Sequence, residues 1–213
     1  MERTSDRFTI IASYCQGLEV LDVGSGEHRI EKIGGPNWLH GILCRVSKRV
    51  VGLERVPELV AKMRELGYVV IQGDVETFNA DERFDIIVAG EIIEHVSNQL
   101  KMLLNLKRHM RKNGRLIVTT PNALSWRYAG FVLLLNVAGT NPEHSLWHDE
   151  NTLREIMRRA GFRIEVIYHL PIPPESDTSW NRLCYLVDRI TMRLRPRLAP
   201  QLVAVCSVNV PES

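Results

Sequence analysis

The chain has 213 residues, of which 45% are hydrophobic and 24% charged. That balance excludes disordered, collagen-like and disulfide-dense classes and leaves room for one domain with an ordinary core. Lys and Arg total 27 against 25 Asp and Glu, a net charge of +2, so a dedicated nucleic-acid binder is not expected.

In chain order, residues 6–16 read as a short helix. Glu19-Val20-Leu21-Asp22-Val23 is a brief apolar run meeting a tight turn at Gly24, the pattern of a buried strand. Residues 49–54 repeat it. Residues 57–66 have helical spacing, with Leu59, Val60, Met63 and Leu66 on one stripe, Pro57 at the start and Gly67 as the stop. Third and fourth strands follow at 68–71 and 84–89. A helix at 100–110 closes at Asn113-Gly114, and a fifth strand at 115–120 halts at Pro121. After an apolar stretch at 124–139 come a helix at 150–160, a sixth strand at 162–168 and a seventh at 201–208. Pro171, Pro173 and Pro174 interrupt the chain before an Arg-rich helix at 180–197. Strands alternating with helices need crossover connections, hence an α/β fold with a mostly parallel sheet covered on both faces.

Ligands of such sheets bind beyond the carboxyl ends of the strands. Those ends carry Asp22-Val23-Gly24-Ser25-Gly26, Glu54, Gly73-Asp74-Val75-Glu76 and Gly90-Glu91-Ile92-Ile93-Glu94-His95. The glycines let backbone pass close to a ligand, and a carboxylate at Glu54 can accept two ribose hydroxyls. Each feature alone has a plain reading: Asp74 as a local cap, Glu54 as a turn residue. Their succession on one sheet edge points to a nucleotide-type cofactor.

Taken together, these segments resemble the class I S-adenosylmethionine-dependent methyltransferases, from about residue 18 to residue 162, with the last strand also fitting. The resemblance implies a Rossmann-like, seven-stranded, mostly parallel sheet with helices on both faces and an antiparallel last strand. It implies S-adenosylmethionine as cofactor. Asp22, Gly24, Ser25 and Gly26 would surround its methionine and ribose parts, and Glu54, with Arg55 beside it, would hold the ribose hydroxyls. Asp74 would bind the adenine amino group and Val75 would offer backbone, within Gly73–Glu76, while Gly90 and Glu91 follow the fourth strand. The family often has a third glycine two residues after Gly26, where this chain has His28.

The nearer resemblance is to the branch containing the ubiquinone-biosynthesis O-methyltransferases, through Glu91-Ile92-Ile93-Glu94-His95, Thr119-Thr120-Pro121-Asn122 and Asn141-Pro142-Glu143-His144. It implies an enzyme that methylates a small molecule, on a hydroxyl, with His95 and then His144 as general-base candidates. In some relatives, including small-RNA 2'-O-methyltransferases, the Glu-x-x-Glu-His segment holds a divalent metal. On a helical turn Glu91, Glu94 and His95 would share a face, with His144 as a fourth ligand. A metal is not expected, because cofactor-only members share the pattern. Other readings are an RNA or protein methyltransferase, a non-catalytic methyltransferase-like binding domain and, on fold alone, a nicotinamide dehydrogenase.

The chain reads as one domain over 1–213, with 123–148 as an acceptor-side or lid segment and 175–198 as an Arg-rich helical insert. Trp126, Tyr128, Phe131 and Leu133-Leu134-Leu135 fit either an ordinary buried helix or a wall for a hydrophobic acceptor. In 180–197 five arginines stand against one acid, Asp188, a local charge near +4 with apolar residues interleaved. That pattern fits a solvated face over a core helix, or a contact with a membrane surface or an anionic acceptor. The cysteines Cys15, Cys44, Cys184 and Cys206 form no Cys-x-x-Cys pair and read as reduced thiols. The start MERTSDRFTI has no signal layout, and the apolar run 129–139 falls short of the ~20 residues that span a bilayer. A cytoplasmic protein is expected.

Overall fold

The computed structural model describes residues 6–26, 30–137, 139, 141–174 and 178–209. In chain order these hold α1 (Arg7–Cys15), β1 (Glu19–Val23), α2 (Leu39–Val46), β2 (Arg49–Glu54), α3 (Pro57–Glu65), β3 (Val70–Gln72), β4 (Phe84–Gly90), α4 (Gln99–Arg108), β5 (Met110–Pro121), α5 (Trp126–Leu135), α6 (Glu150–Arg159), β6 (Phe162–Leu170), α7 (Ser179–Leu194) and β7 (Gln201–Val208). The strands form one sheet in the order β3-β2-β1-β4-β5-β7-β6. β7 lies antiparallel between β5 and β6, and the remaining pairs are parallel. The expected Rossmann-like sheet with an antiparallel last strand is the one found.

Both faces of the sheet are buried because successive strand residues point to opposite sides. Leu21, Val23, Val51 and Leu53 join Met102, Leu103 and Leu106 of α4 and Leu153 and Met157 of α6 in one core. Val20, Val50, Ile86 and Val88 join Ile10, Ile11 and Cys15 of α1 and Leu43 of α2 in another. Cys15, Cys184 and Cys206 are buried free thiols, and Cys44 is exposed.

Three local expectations are corrected. Helix α2, absent from the sequence reading, follows the Gly34-Gly35-Pro36 turn, and its few apolar positions are interrupted by His40 and Gly41. The third strand begins at Val70, not at 68, because Tyr68 leaves the ladder to pack edge-on against Trp38, ring centroids 4.8 Å apart. Asn113-Gly114 lies within β5, where the pairing shifts from Phe84–Met110 to Ile86–Arg115, so the strand starts ahead of that pair. No helix of the described residues is long and apolar enough to cross a membrane.

Candidate active site

Strand alternation puts Asp22 on the same face as Val20, beneath α2. There its Oδ2 lies 2.9 Å from Nδ1 of His40, with both side chains buried. Burial acts to lower the His40 pKa, but hydrogen bonds to Asp22 and Cys44 outweigh it and raise the value to about 9. Asp22, expected at the cofactor, thus commits its carboxylate to His40 and braces β1 against α2.

The chain then turns through Gly24, whose φ of 69° is the left-handed conformation that glycine adopts without strain. Ser25 is buried, its Oγ donating to Met63 Sδ at 3.7 Å and its carbonyl accepting from Trp38 Nε1 at 2.8 Å. Gly26 N–H donates to Glu54 Oε2 at 2.9 Å. A side chain at Gly26 would start 2.8 Å from that same oxygen and 2.7 Å from Leu59 Cδ1. The other oxygen of Glu54 accepts the N–H groups of Arg55 and Val56, at 2.8 and 2.9 Å. One carboxylate therefore ties the ends of β1 and β2 together, while Arg55 is exposed.

Beyond β3, Gly73 N–H donates to the Glu54 carbonyl. Asp74 closes its own turn, Oδ1 accepting Glu76 N–H at 2.8 Å, and Val75 is buried. Glu76 faces α4, accepting Asn98 N–H at 2.9 Å and lying 3.8 Å from Lys101 Nζ. It borders an open recess of about 700 Å³ along α4.

The segment after β4 crosses the glycine turn: a Cβ at Gly24 would sit 3.2 Å from Ile92 Cδ1. Glu91 has φ 53°, so it does not start the helical turn expected for 91–95. Its N–H donates to Thr119, and its carboxylate accepts from Thr119 Oγ1 at 2.9 Å and Gln201 Nε2 at 3.2 Å and faces Arg7 Nη1 at 3.5 Å. Glu94, His95 and His144 converge, with one potential ligand atom from each lying within 4.8 Å of the others. Glu91 stands outside that group. The rings of His95 and His144 meet edge to face at 4.7 Å. Glu94 is 1% exposed; its Oε2 accepts from Thr120 Oγ1 at 3.2 Å, while its Oε1 is buried without a hydrogen-bond partner. Burial first, and then the Glu91 carboxylate, push the Glu94 carboxyl up to about 8.

The segment 123–148 leaves the sheet and returns to its point of departure. Ala123 N–H donates to the His148 carbonyl at 2.7 Å, beside the Asn122–His148 bridge. Buried Asn122 anchors the base, donating to the carbonyls of Arg197 and Ala199. Above it, Tyr128 of α5 stacks edge-on with Trp147 at 4.5 Å, and Trp147 lies 6.2 Å from His144. Burial first, and then the Glu91 and Glu94 carboxylates, raise the Tyr128 pKa. No residue of α5 is buried, so the ordinary buried helix is ruled out. Trp147 and Arg7 carry no signal in the sequence reading, which names Tyr128 only as part of an apolar wall and Thr119 and Thr120 only within the family resemblance. The third-glycine position, His28, lies outside the described residues.

A family model described as a methyltransferase domain matches residues 10–167. The chain belongs to the class I S-adenosylmethionine-dependent methyltransferases. It is 29% identical over 133 residues to a ubiquinone biosynthesis O-methyltransferase of Rickettsia akari, covering 62% of this chain and 51% of that protein. The mitochondrial ubiquinone biosynthesis O-methyltransferase of Mus musculus is 27% identical over 176 residues, covering 75% of this chain and 45% of that one. The chain thus spans about half the length of these curated relatives.

Solved methyltransferases share the fold. A TehB-like enzyme of Corynebacterium glutamicum aligns with a TM-score of 0.57 at 18% identity, covering 93% of this chain and 84% of that one. The Burkholderia thailandensis 1,6-didemethyltoxoflavin-N1-methyltransferase aligns with a TM-score of 0.60 at 15% identity, covering 95% and 78%. The cofactor of the family, S-adenosylmethionine, suits the chemistry of these strand ends. The absence of a side chain at Gly26 lets the glycine turn pack directly against the Glu54 carboxylate, and Glu54 and Asp74 place acidic side chains, which can accept from hydroxyl and amino donors, at the ends of neighbouring strands.

Proposed function

We propose that this methyltransferase passes a methyl group to a hydroxyl of a small-molecule acceptor, held between the strand ends and the segment 123–148. The observation that carries the reading is the pair of imidazoles, His95 and His144, meeting at 4.7 Å beside the segment that crosses the glycine turn. Glu54 would hold the ribose hydroxyls, Asp74 and the Val75 backbone the adenine edge, and the Gly24–Gly26 turn the amino-acid end. Bound there, S-adenosylmethionine supplies a methyl group already activated on a sulfonium sulfur. The remaining work of the chain is to orient the acceptor oxygen and accept its proton. His95 is assigned as the base and His144 as its partner, with Tyr128 and Trp147 forming the aromatic wall on the acceptor side.

A titration of the purified protein with S-adenosylmethionine and, separately, with NAD tests the cofactor. Tight NAD binding without S-adenosylmethionine binding would overturn the reading. Transfer of a labelled methyl group to a panel of phenols and alcohols tests the acceptor class; labelling confined to RNA or protein would reassign it.

One observation favours a metal-assisted variant of the same reaction: the unpartnered Glu94 Oε1, buried beside His95 and His144. One carboxylate oxygen and two imidazole nitrogens suit a borderline divalent cation. Such a cation would lower the pKa of an acceptor hydroxyl. If a chelator changes neither activity nor metal content, this variant fails.

A further inference from the structure

Helix α5 ends in Val132-Leu133-Leu134-Leu135, four consecutive aliphatic residues that are all exposed, Leu133 by 83% and Leu134 by 79%. Exposed aliphatic runs of this kind are rare on surfaces that face only water. The neighbouring α7 continues the pattern. Its buried stripe is Cys184 and Asp188, with Trp180 one turn ahead on the same side, and at helical spacing its opposite side presents Leu183, Leu186, Ile190 and Leu194, each at least half exposed.

The two helices are joined. Asp188, fully buried, accepts from Trp126 Nε1 and Arg127 Nε of α5 at 2.8 and 3.0 Å, and Phe131 stacks with Trp180 at 6.4 Å. Those contacts pair the start of α5 with the middle of α7 and the middle of α5 with the start of α7, so the helices run antiparallel.

Charge identifies the occupant. Asp188 is the only carboxylate in 178–200, and it is buried against Arg127; residues 124–137 carry none. Arg182, Arg189, Arg193 and Arg195 are exposed, and at helical spacing the first three form a band along the edge of the apolar stripe of α7. A cationic band beside an apolar stripe, in a helix too short and too polar to cross a membrane, is the pattern of an interfacial helix. We propose that the α5–α7 face rests on an anionic lipid bilayer, with the aliphatic end of α5 and the apolar stripe of α7 in the headgroup–acyl boundary and the arginines on lipid phosphates. This inference is independent of the cofactor and acceptor assignments.

The test is co-sedimentation of the intact protein with phosphatidylcholine vesicles, with and without phosphatidylglycerol. Binding to the mixed vesicles that weakens with added salt is expected. Arg189→Gln/Arg193→Gln should lower partitioning about fivefold per arginine removed. Leu133→Ser/Leu134→Ser should weaken binding at every salt concentration. These positions are exposed, so circular dichroism and the S-adenosylmethionine titration should be unchanged, which keeps this test separate from that of the function. Absence of binding to phosphatidylglycerol vesicles would overturn the proposal, as would equal binding by the double-arginine variant. A dimer in solution that Leu133→Ser/Leu134→Ser converts to monomer would assign the face to a second copy of the chain.

Discussion

The Gly26 N–H donates to Glu54 Oε2 at 2.9 Å, and this bond joins the first two strands at the end where the family binds its cofactor. The carboxylate that would receive ribose hydroxyls is the same one that fixes the glycine turn. Turn and acidic residue are therefore one unit, and damage to either should read as loss of cofactor affinity.

Gly26→Ala places a methyl group 2.8 Å from Glu54 Oε2 and 2.7 Å from Leu59 Cδ1, so the carboxylate must shift. S-adenosylmethionine affinity should fall at least tenfold, about 1.4 kcal/mol, by calorimetric titration. Glu54→Gln should show a smaller loss, because the amide oxygen can still accept some of the N–H groups of 26, 55 and 56.

His95→Ala should reduce turnover by roughly 10²–10⁴-fold, the usual contribution of a general base. Cofactor affinity should be unchanged. Loss of S-adenosylmethionine binding in this variant would place His95 in the cofactor site and withdraw its role as base.

Glu94 should make stability depend on pH. Its carboxyl is pushed up to about 8 in the folded chain, against about 4.3 for an unfolded glutamate. Between these values the folded state binds more protons than the unfolded state, so stability falls as pH rises through the window and levels off above it. In metal-free protein the melting temperature should be lower at pH 8 than at pH 5, with about 2–4 °C lost per kcal/mol. Glu94→Gln should remove much of that difference; an unchanged pH dependence would mean that Glu94 ionises normally.

Asp188→Ala should strip Arg127 and Trp126 of their shared acceptor. Removal of one member of a buried, hydrogen-bonded ion pair typically costs about 3–5 kcal/mol, and the partial exposure of Arg127 favours the lower end. The amides of α5 should exchange faster with solvent than those of α6, because α5 has no buried face of its own to hold it.

The sheet was legible because strands buried on both faces must be continuous apolar runs, as 19–23, 49–54 and 84–90 are. The strand-end residues Glu54 and Asp74 followed from topology alone. Other features needed tertiary information. Asp22 looks like a cleft residue until α2 supplies His40 beneath it, and α2 is short and interrupted by glycine. Glu91 has helical spacing to Glu94 and His95, yet the turn from β4 gives it a left-handed backbone. The lone acid in an arginine-rich helix reads as surface until Arg127 and Trp126 arrive from a segment far away in the chain. Tyr128 and Trp147 reach the site only because the segment carrying them closes on itself.

That closure, the Ala123 N–H to the His148 carbonyl at 2.7 Å, makes 124–147 a cassette. Both cut points lie where the chain already meets itself, and Asn122 holds the base through the carbonyls of Arg197 and Ala199 while its own side-chain oxygen accepts the Leu124 N–H. A different stretch installed between those two residues would leave the strands in place, provided that it kept a partner for the buried Asp188 where Arg127 now stands. On the proposed reading, in which that stretch walls the acceptor, a lineage that exchanged it would change what its enzymes act upon while inheriting the nucleotide edge.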